Sequence, residues 1–351
     1  MEFLIEYGLF LAKAVTVVIA IAVIVAIAVS SGLKNQGKEK GFIEVTNLSE
    51  KYDEVTQAIK SSLLDEKAVK AEQKEKKKQQ KQAQKAEKKN RKTKTEDSQQ
   101  KPRVFVVDFD GDIKASATEE LREVVSAILG FATREDEVVL RLESQGGMVH
   151  SYGLAASQLA RVTEKEIPLT VCVDKVAASG GYMMACVAKK IVSAPFAIIG
   201  SIGVVAQLPN FHRLLKKHDI DYEMLTAGEY KRTLTMFGEN TEKGRDKFTE
   251  DLEDTHTLFK DFIGEHRPQV DLPAVATGEI WFGRRAIENK LVDQLQTSDQ
   301  YLLDLREKAD IFLVSYEQKK SLAEKVGLNV QAGIERGFMS VLQKMNNKIF
   351  S

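Results

Sequence analysis

A chain of 351 residues with 43% hydrophobic and 29% charged side chains has the composition of a folded protein, which excludes a wholly disordered or collagen-like chain. Two cysteines, Cys172 and Cys186, cannot build a disulfide scaffold, and no Cys/His spacing resembles a zinc site. Fifty-one basic residues balance 51 acidic ones, but the charge is segregated: residues 66–94 hold 13 Lys/Arg against four Glu, a net +9, leaving −9 for the rest.

Two domains or one large one fit this length. Residues 1–33 are expected to form a transmembrane anchor. From Gly8 to Val29 the sequence is apolar except for Lys13 and Thr16, and about 20 helical residues span a hydrocarbon core. A signal peptide would want a basic leader and a shorter apolar run, whereas Glu2 and Glu6 precede this one. Lys34, Lys38 and Lys40 follow the span, so the positive-inside rule places the long C-terminal part in the cytoplasm.

Residues 34–101 read as a spacer. Leu48, Tyr52, Val55, Ile59 and Leu63 recur at helical spacing, with Asn47 or Ser49 as cap. The Lys/Gln/Ala/Glu-rich segment 66–94 has too few large apolar side chains for a core and reads as a solvated helix or disordered tether. A run of this charge could meet anionic lipid. It lacks interleaved aromatics for base stacking, so no nucleic acid is expected.

The composition changes at Pro102. Apolar runs predict strands at Arg103–Phe109, Glu137–Leu142, Leu169–Val173, Ile191–Ser193, Ile202–Ala206 and Tyr222–Thr226. Helical spacing appears over Leu121–Leu129, Gly153–Val162, Asn210–Lys217, Phe248–Ile263 and Gly283–Asn289. The alternation predicts an α/β domain with a largely parallel sheet over 102–300, followed by a tail, 301–351, with no assigned role.

Three segments could carry chemistry. Ser144-Gln145-Gly146-Gly147 ends a strand with two glycines before a helix, either a plain turn or a place where backbone N–H groups meet an anion. Ala177-Ala178-Ser179-Gly180-Gly181-Tyr182 sets a serine among small residues at a helix start, either an N-cap or a nucleophile with room for a substrate backbone. Thr226-Ala227-Gly228-Glu229-Tyr230-Lys231 places a lysine after a strand; it is a surface residue, or a base if buried. His150 is the best histidine for pairing with a serine, although no Gly-x-Ser-x-Gly elbow accompanies it. Asp108, Asp110 and Asp174 lie near strand ends without forming a carboxylate–histidine series, and Cys186 reads as a small core hydrophobe.

Taken in order, Ser144-Gln145-Gly146-Gly147, Lys175-Val176-Ala177-Ala178-Ser179-Gly180-Gly181-Tyr182-Met183-Met184-Ala185, Gly200-Ser201-Ile202-Gly203-Val204 and Ala227-Gly228-Glu229-Tyr230-Lys231-Arg232 resemble signal peptide peptidase A-type serine proteases, peptidase family S49. Ala276–Gly283 and Leu291-Val292-Asp293 are similar to that family's closing motifs. The anchor and Lys-rich spacer match its inner-membrane members.

The resemblance implies a Clp protease/crotonase-like twisted core, with Ser179 as nucleophile and Lys231 as general base. It implies an oxyanion hole from the Gly146-Gly147 turn and the Gly180 amide, each donor offsetting about 3 kcal/mol of developing charge. It further implies no cofactor or metal, peptide or unfolded-protein substrates such as signal-peptide remnants, and a ring- or dome-shaped homo-oligomer in which neighbouring subunits can share one dyad. The bilayer is met through the N-terminal helix. Family precedent puts the catalytic domain outside the cytoplasm, against the charge rule. Gln145 stands where proline is usual, and Asn289-Lys290 where a glycine is usual. Two rivals accompany this reading: a non-proteolytic membrane scaffold on the same fold, suggested by the charged tether, and a crotonase-like acyl-CoA enzyme. The anchor and the lack of an acidic pair at the Gly-rich loops count against the second.

Overall fold

The alternating strand Arg103–Gly111 is the hub of the sheet: its two faces feed two separate cores. The computed structural model describes residues 7–11, 13, 15–17, 41–63 and 101–317. Most of the expected anchor, all of 66–94 and residues 318–351 lie outside the described residues. The chain divides into a unit of Ile43–Tyr316 and a second unit of Met1–Phe42 with Glu317–Ser351. In the second, residues 7–11 are helical. Among the described residues no helix is long and apolar enough to cross a membrane.

In chain order the elements are β1 (Phe42–Asn47), α1 (Leu48–Leu63), β2 (Arg103–Gly111), α2 (Thr118–Leu129), β3 (Glu137–Ser144), α3 (Val149–Glu164), β4 (Leu169–Val173), β5 (Val176–Ala178) and α4 (Gly180–Ala185). Then come β6 (Lys190–Ser193), β7 (Ile198–Gly200), α5 (His212–Lys217), α6 (Glu242–His266), α7 (Leu272–Val275), β8 (Ile280–Phe282), α8 (Gly283–Ala286), β9 (Gln294–Leu295), α9 (Ser298–Arg306) and β10 (Asp310–Glu317).

The main sheet runs β1-β10-β2-β3-β4-β6-β9. It forks at β3. Val138–Arg141 pair with β4, while Ser144 at the strand's end pairs with Ala177 of β5, starting a second arm through β7 to β8. The pairs β10–β2, β2–β3, β3–β4, β3–β5, β4–β6, β5–β7 and β6–β9 are parallel, and β7–β8 is antiparallel. This is an α/β protein with a largely parallel sheet.

Side chains alternate across a strand. Val104 and Val106 face one side with Val139, Cys172 and Val192, covered by Leu48 of α1 and by Tyr301 and Leu302 of α9. Phe105, Val107 and Phe109 face the other with Leu140 and Leu142, covered by Leu121, Val125 and Ile128 of α2 and Ala155 and Leu159 of α3. Each fully buried Val, Leu or Phe contributes roughly 1.5–3 kcal/mol. The larger layer therefore carries most of the stability.

Several expectations change. Ile202–Ala206 and Tyr222–Thr226 form no strand; the ladder is instead made by Ile198–Gly200, because only there does β5 offer a partner. The short strands β5, β8 and β9 give no periodic signal of their own. The sheet takes in β1 from the expected spacer and β10 beyond residue 300, with Asp310–Leu313 registered on Arg103–Val106. Asn47 caps α1 through the Glu50 amide (3.2 Å), but only Leu48 and Tyr52 of its apolar stripe pack; Val55, Ile59 and Leu63 stay exposed.

Candidate active site

Ser179 follows β5 directly and opens α4. Its φ of 52° and ψ of −119° lie in a region that residues with a Cβ rarely adopt, held by its N–H on the Gly200 carbonyl (2.7 Å) and by its own carbonyl accepting from Met183 (3.0 Å). Behind it every residue of α4 is buried. The side chain of a half-exposed serine is thus presented at the end of a rigid strand–turn–helix unit.

The Gly146-Gly147 turn lies against this elbow. Gly146 has φ +86°, and a Cβ there would come 2.6 Å from the Gly180 nitrogen and 2.8 Å from Ser179 Cβ. At Gly180 a Cβ would come 2.4 Å from Cγ of the Tyr152 ring. Only glycines let the two backbones close to this distance. Of the three expected oxyanion-hole residues, Gly146 already spends its N–H on Ser144 Oγ (3.0 Å). Among the described residues the amides of Gly147 and Gly180 have no acceptor. Gln145, in the place of the usual proline, is exposed, and the Gly146–Ser144 bond holds the turn.

The closing motifs brace the elbow from behind. Trp281 of β8 packs on Gly200, where a Cβ would come 2.9 Å from its Cδ1, and Ser201, also at positive φ, donates its N–H to the Glu279 carbonyl (2.7 Å). Asp293 accepts two bonds from buried Arg267 (both 2.8 Å) and one from the Ile191 amide (2.7 Å); Tyr182 of α4 donates to the Leu291 carbonyl (3.0 Å). Lys290, standing in the usual glycine's place, takes the left-handed φ of 58°.

Lys231 lies in an uncovered stretch of the chain. Between Ile202 and Phe259 no residue is buried, and Lys231 is exposed there, its own N–H on Gly228 (3.2 Å). No hydrogen bond joins Ser179 to Lys231, and neither side chain has a hydrogen-bond partner among the described residues. This excursion is tied locally: Asn210 Nδ2 donates to Thr235 (2.9 Å) and Gly238 (3.0 Å), and Phe211 stacks on Phe237. Val205, Phe211, Leu214, Leu225 and Tyr230 are exposed.

His150 is exposed in the first turn of α3 and bonds to nothing at the elbow. Cys172 and Cys186 are core residues; burial pushes the Cys172 thiol up to about 12 and raises Cys186 as well. Asp108, Asp110 and Asp174 line a cleft of about 380 Å³ at the strand ends, where Asp108 is forked onto Arg141 (2.6 and 2.7 Å) and Asp174 receives the Ser298 amide (2.8 Å). Ser179 does not line that cleft. A smaller one of about 310 Å³, lined by Asp110, Asp112, Glu143, Ser144 and Gly146, reaches the glycine turn.

The pattern reading missed the buried pair Ser144–Tyr152 (2.6 Å) beneath the turn. A serine ending a strand and a tyrosine inside a helix carry no signal until the fold stacks them.

On this α/β sheet a half-exposed serine on a strained elbow thus stands beside two backbone amides without an acceptor among the described residues. Residues 2–159 match the model described as "Peptidase family S49 N-terminal" and residues 161–311 that of "Peptidase family S49". The chain is 52% identical over 327 residues to "Probable protease SohB" of Haemophilus influenzae, covering 93% of this chain and 92% of the relative. It is 47% identical over 341 residues to the protein of the same name from Buchnera aphidicola subsp. Acyrthosiphon pisum, covering 97% and 98%. The chain belongs to peptidase family S49, in its SohB-type branch.

Proposed function

We propose that this peptidase is a membrane-anchored serine endopeptidase working through a Ser179/Lys231 dyad on signal-peptide remnants or unfolded membrane-associated polypeptides. The observation that carries the reading is the Ser179 elbow at φ 52° beside the unpaired amides of Gly147 and Gly180. In the reaction, Ser179 Oγ attacks the scissile carbonyl carbon while the Lys231 amine takes its proton. The carbonyl oxygen becomes an oxyanion facing the two amides. Lys231 then returns the proton to the departing amine, the peptide C–N bond breaks, and water hydrolyses the acyl-serine by the same route. No cofactor or metal is needed.

A lysine acts as base only where burial keeps its amine neutral. Lys231 is exposed in the single chain, so the dyad is read as completed by a neighbouring copy in a ring or dome, with the outward apolar side chains of the excursion as its contact surface. The forked sheet supports reading the core as Clp protease/crotonase-like. The apolar sequence 8–29 supports an inner-membrane anchor, with the catalytic unit on the periplasmic side by family precedent and on the cytoplasmic side by the flanking lysines. Digestion of spheroplasts with an external protease decides between the two.

The test of the dyad uses the full-length oligomer with an unfolded protein substrate and mass-spectrometric detection of fragments. Wild type cleaves, while Ser179→Ala and Lys231→Ala do not, each losing roughly 10⁴-fold or more in kcat. Undiminished cleavage by Ser179→Ala would sink the proposal.

A further inference from the structure

Tyr152 is fully buried one turn into α3, next to the elbow, and the mechanism above gives it no task. Its hydroxyl lies 2.7 Å from the Asp112 carbonyl oxygen and 2.6 Å from Ser144 Oγ. A carbonyl oxygen can only accept, so the single phenol proton goes to Asp112. Ser144 must then donate to Tyr152 Oη, which leaves Ser144 Oγ free to accept the Gly146 N–H at 3.0 Å. The direction of every bond is set by these valences: Gly146 to Ser144, Ser144 to Tyr152, Tyr152 to Asp112. Burial raises the Tyr152 pKa, which keeps the phenol a donor at neutral pH.

Both ends of this chain touch the oxyanion machinery. The Tyr152 ring lies under Gly180, the residue whose amide is one of the two unpaired donors. The Gly146 end fixes the residue preceding Gly147, the other donor. On the far flank Met148 donates its N–H to the Ile113 carbonyl (2.9 Å). Ile113 belongs to the turn that Asp112 organises by accepting from Lys114 N (3.1 Å), Ser116 N (2.8 Å) and Ser116 Oγ (2.8 Å). Gly147 is therefore held on both sides by one short turn, and its amide cannot swing without breaking a buried bond. Gly111 makes room for the arrangement: a Cβ there would come 2.5 Å from both Ser144 Oγ and Tyr152 Oη.

We propose that Tyr152 and Ser144 are positioning residues of the oxyanion hole, a hydroxyl relay that aims the Gly147 and Gly180 amides before substrate arrives. The inference rests on reading Ser179 as nucleophile. Oxyanion stabilisation depends on donors that need no reorganisation at the moment of reaction, and precision of that kind comes from a supporting layer of hydrogen bonds.

The experiment measures kcat and KM of the full-length oligomer for Tyr152→Phe, Ser144→Ala and the double variant, with Ser179→Ala and thermal melting alongside. Tyr152→Phe keeps the ring beneath Gly180 and removes only the relay's oxygen. Each single variant is expected to lower kcat by about 10- to 100-fold, short of the roughly 10²–10³ of losing a donor outright, with KM within about twofold of wild type. The double variant is expected to match the worse single, because breaking one link or two interrupts the same chain. Unchanged kcat, a loss confined to KM, or losses that multiply in the double variant would each overturn the relay. If a variant fails to melt cooperatively, the other single decides by the same kcat and KM criteria. Cleavage by Ser179→Ala would instead remove the nucleophile on which the relay depends, so the two failures are told apart.

Discussion

Ser179 and Lys231 stand in regions built on opposite terms. Around Ser179 the chain completes itself: α4 is buried throughout, the elbow is bonded to Gly200, and a buried hydroxyl relay supports the glycine turn. Around Lys231 no residue is buried, regular structure is limited to α5 and α6, and apolar side chains such as Val205, Leu214 and Leu225 are exposed. The nucleophile half of the proposed site is finished by intramolecular packing. The base half is left uncovered, with Val205, Leu214 and Leu225 exposed, and it is this surface that the proposed neighbouring copy would cover.

The sharpest way to break this contrast is to divide the dyad between chains. Neither Ser179→Ala nor Lys231→Ala alone should cleave. Protomers of the two mixed in equal amounts and reassembled should recover about a quarter of wild-type activity, because in a head-to-tail ring one site in four draws its serine from a Lys231→Ala copy and its lysine from a Ser179→Ala copy. Recovery of nothing above background would mean that the two regions meet within one chain.

A smaller effect separates surface from core. Leu225 is 94% exposed, so Leu225→Asp should leave the melting temperature of the isolated protomer nearly unchanged, within about 0.5 kcal/mol of stability. The same change is expected to dissociate the oligomer in sedimentation and to lower activity with it. An oligomer that survives Leu225→Asp would remove that residue from the proposed contact.

The self-contained region also has an acid-sensitive anchor. Burial works to raise the pKa of Asp136, but bonds from the Arg103 side chain (2.9 and 2.6 Å), the Thr133 amide (2.8 Å), the Arg103 amide (3.0 Å) and the Thr133 hydroxyl (3.0 Å) hold it down to about 2. A lowered carboxylate stabilises the fold fully above its unfolded pKa, and that contribution is lost as pH falls from about 4 towards 2. Asp136→Asn should cost about 2 kcal/mol at neutral pH and flatten the dependence of stability on pH in that window, as read by denaturant unfolding.

The smallest expected effect is a gain. Lys290 holds φ at +58° between Arg285–Ile287 and the Leu291-Val292-Asp293 motif, its carbonyl accepting from Arg267 (3.0 Å). Lys290→Gly should stabilise the catalytic unit by about 1 kcal/mol by relieving the left-handed conformation. It should leave the excursion, and so assembly, untouched.

Much of this could be read along the chain. Val104–Val107 and Leu169–Val173 announced strands through wholly or largely apolar runs, and Leu121, Val124, Val125 and Ile128 announced a helix through spacing, because each pattern depends only on residues within a turn or two. Short strands such as Val176–Ala178 and Ile280–Phe282 gave no such sign; they exist because Ile198–Gly200 lies between them. Conversely Tyr222–Thr226, apolar enough for a strand, has no ladder to join and stays irregular.

What the residues alone determined is therefore the α/β alternation, the serine among small residues, the glycine pair and the ordered motifs of the S49 family, all of them local in sequence. Tertiary structure decided which glycine amides remain unpaired, how Tyr152 comes to support Gly180 and Ser144 at once, and that Lys231 is left on an uncovered surface. These outcomes join positions such as Tyr152 and Asp112, 40 residues apart, across a forked sheet. Their geometry follows from strand register and close packing between elements, which no single stretch of sequence contains.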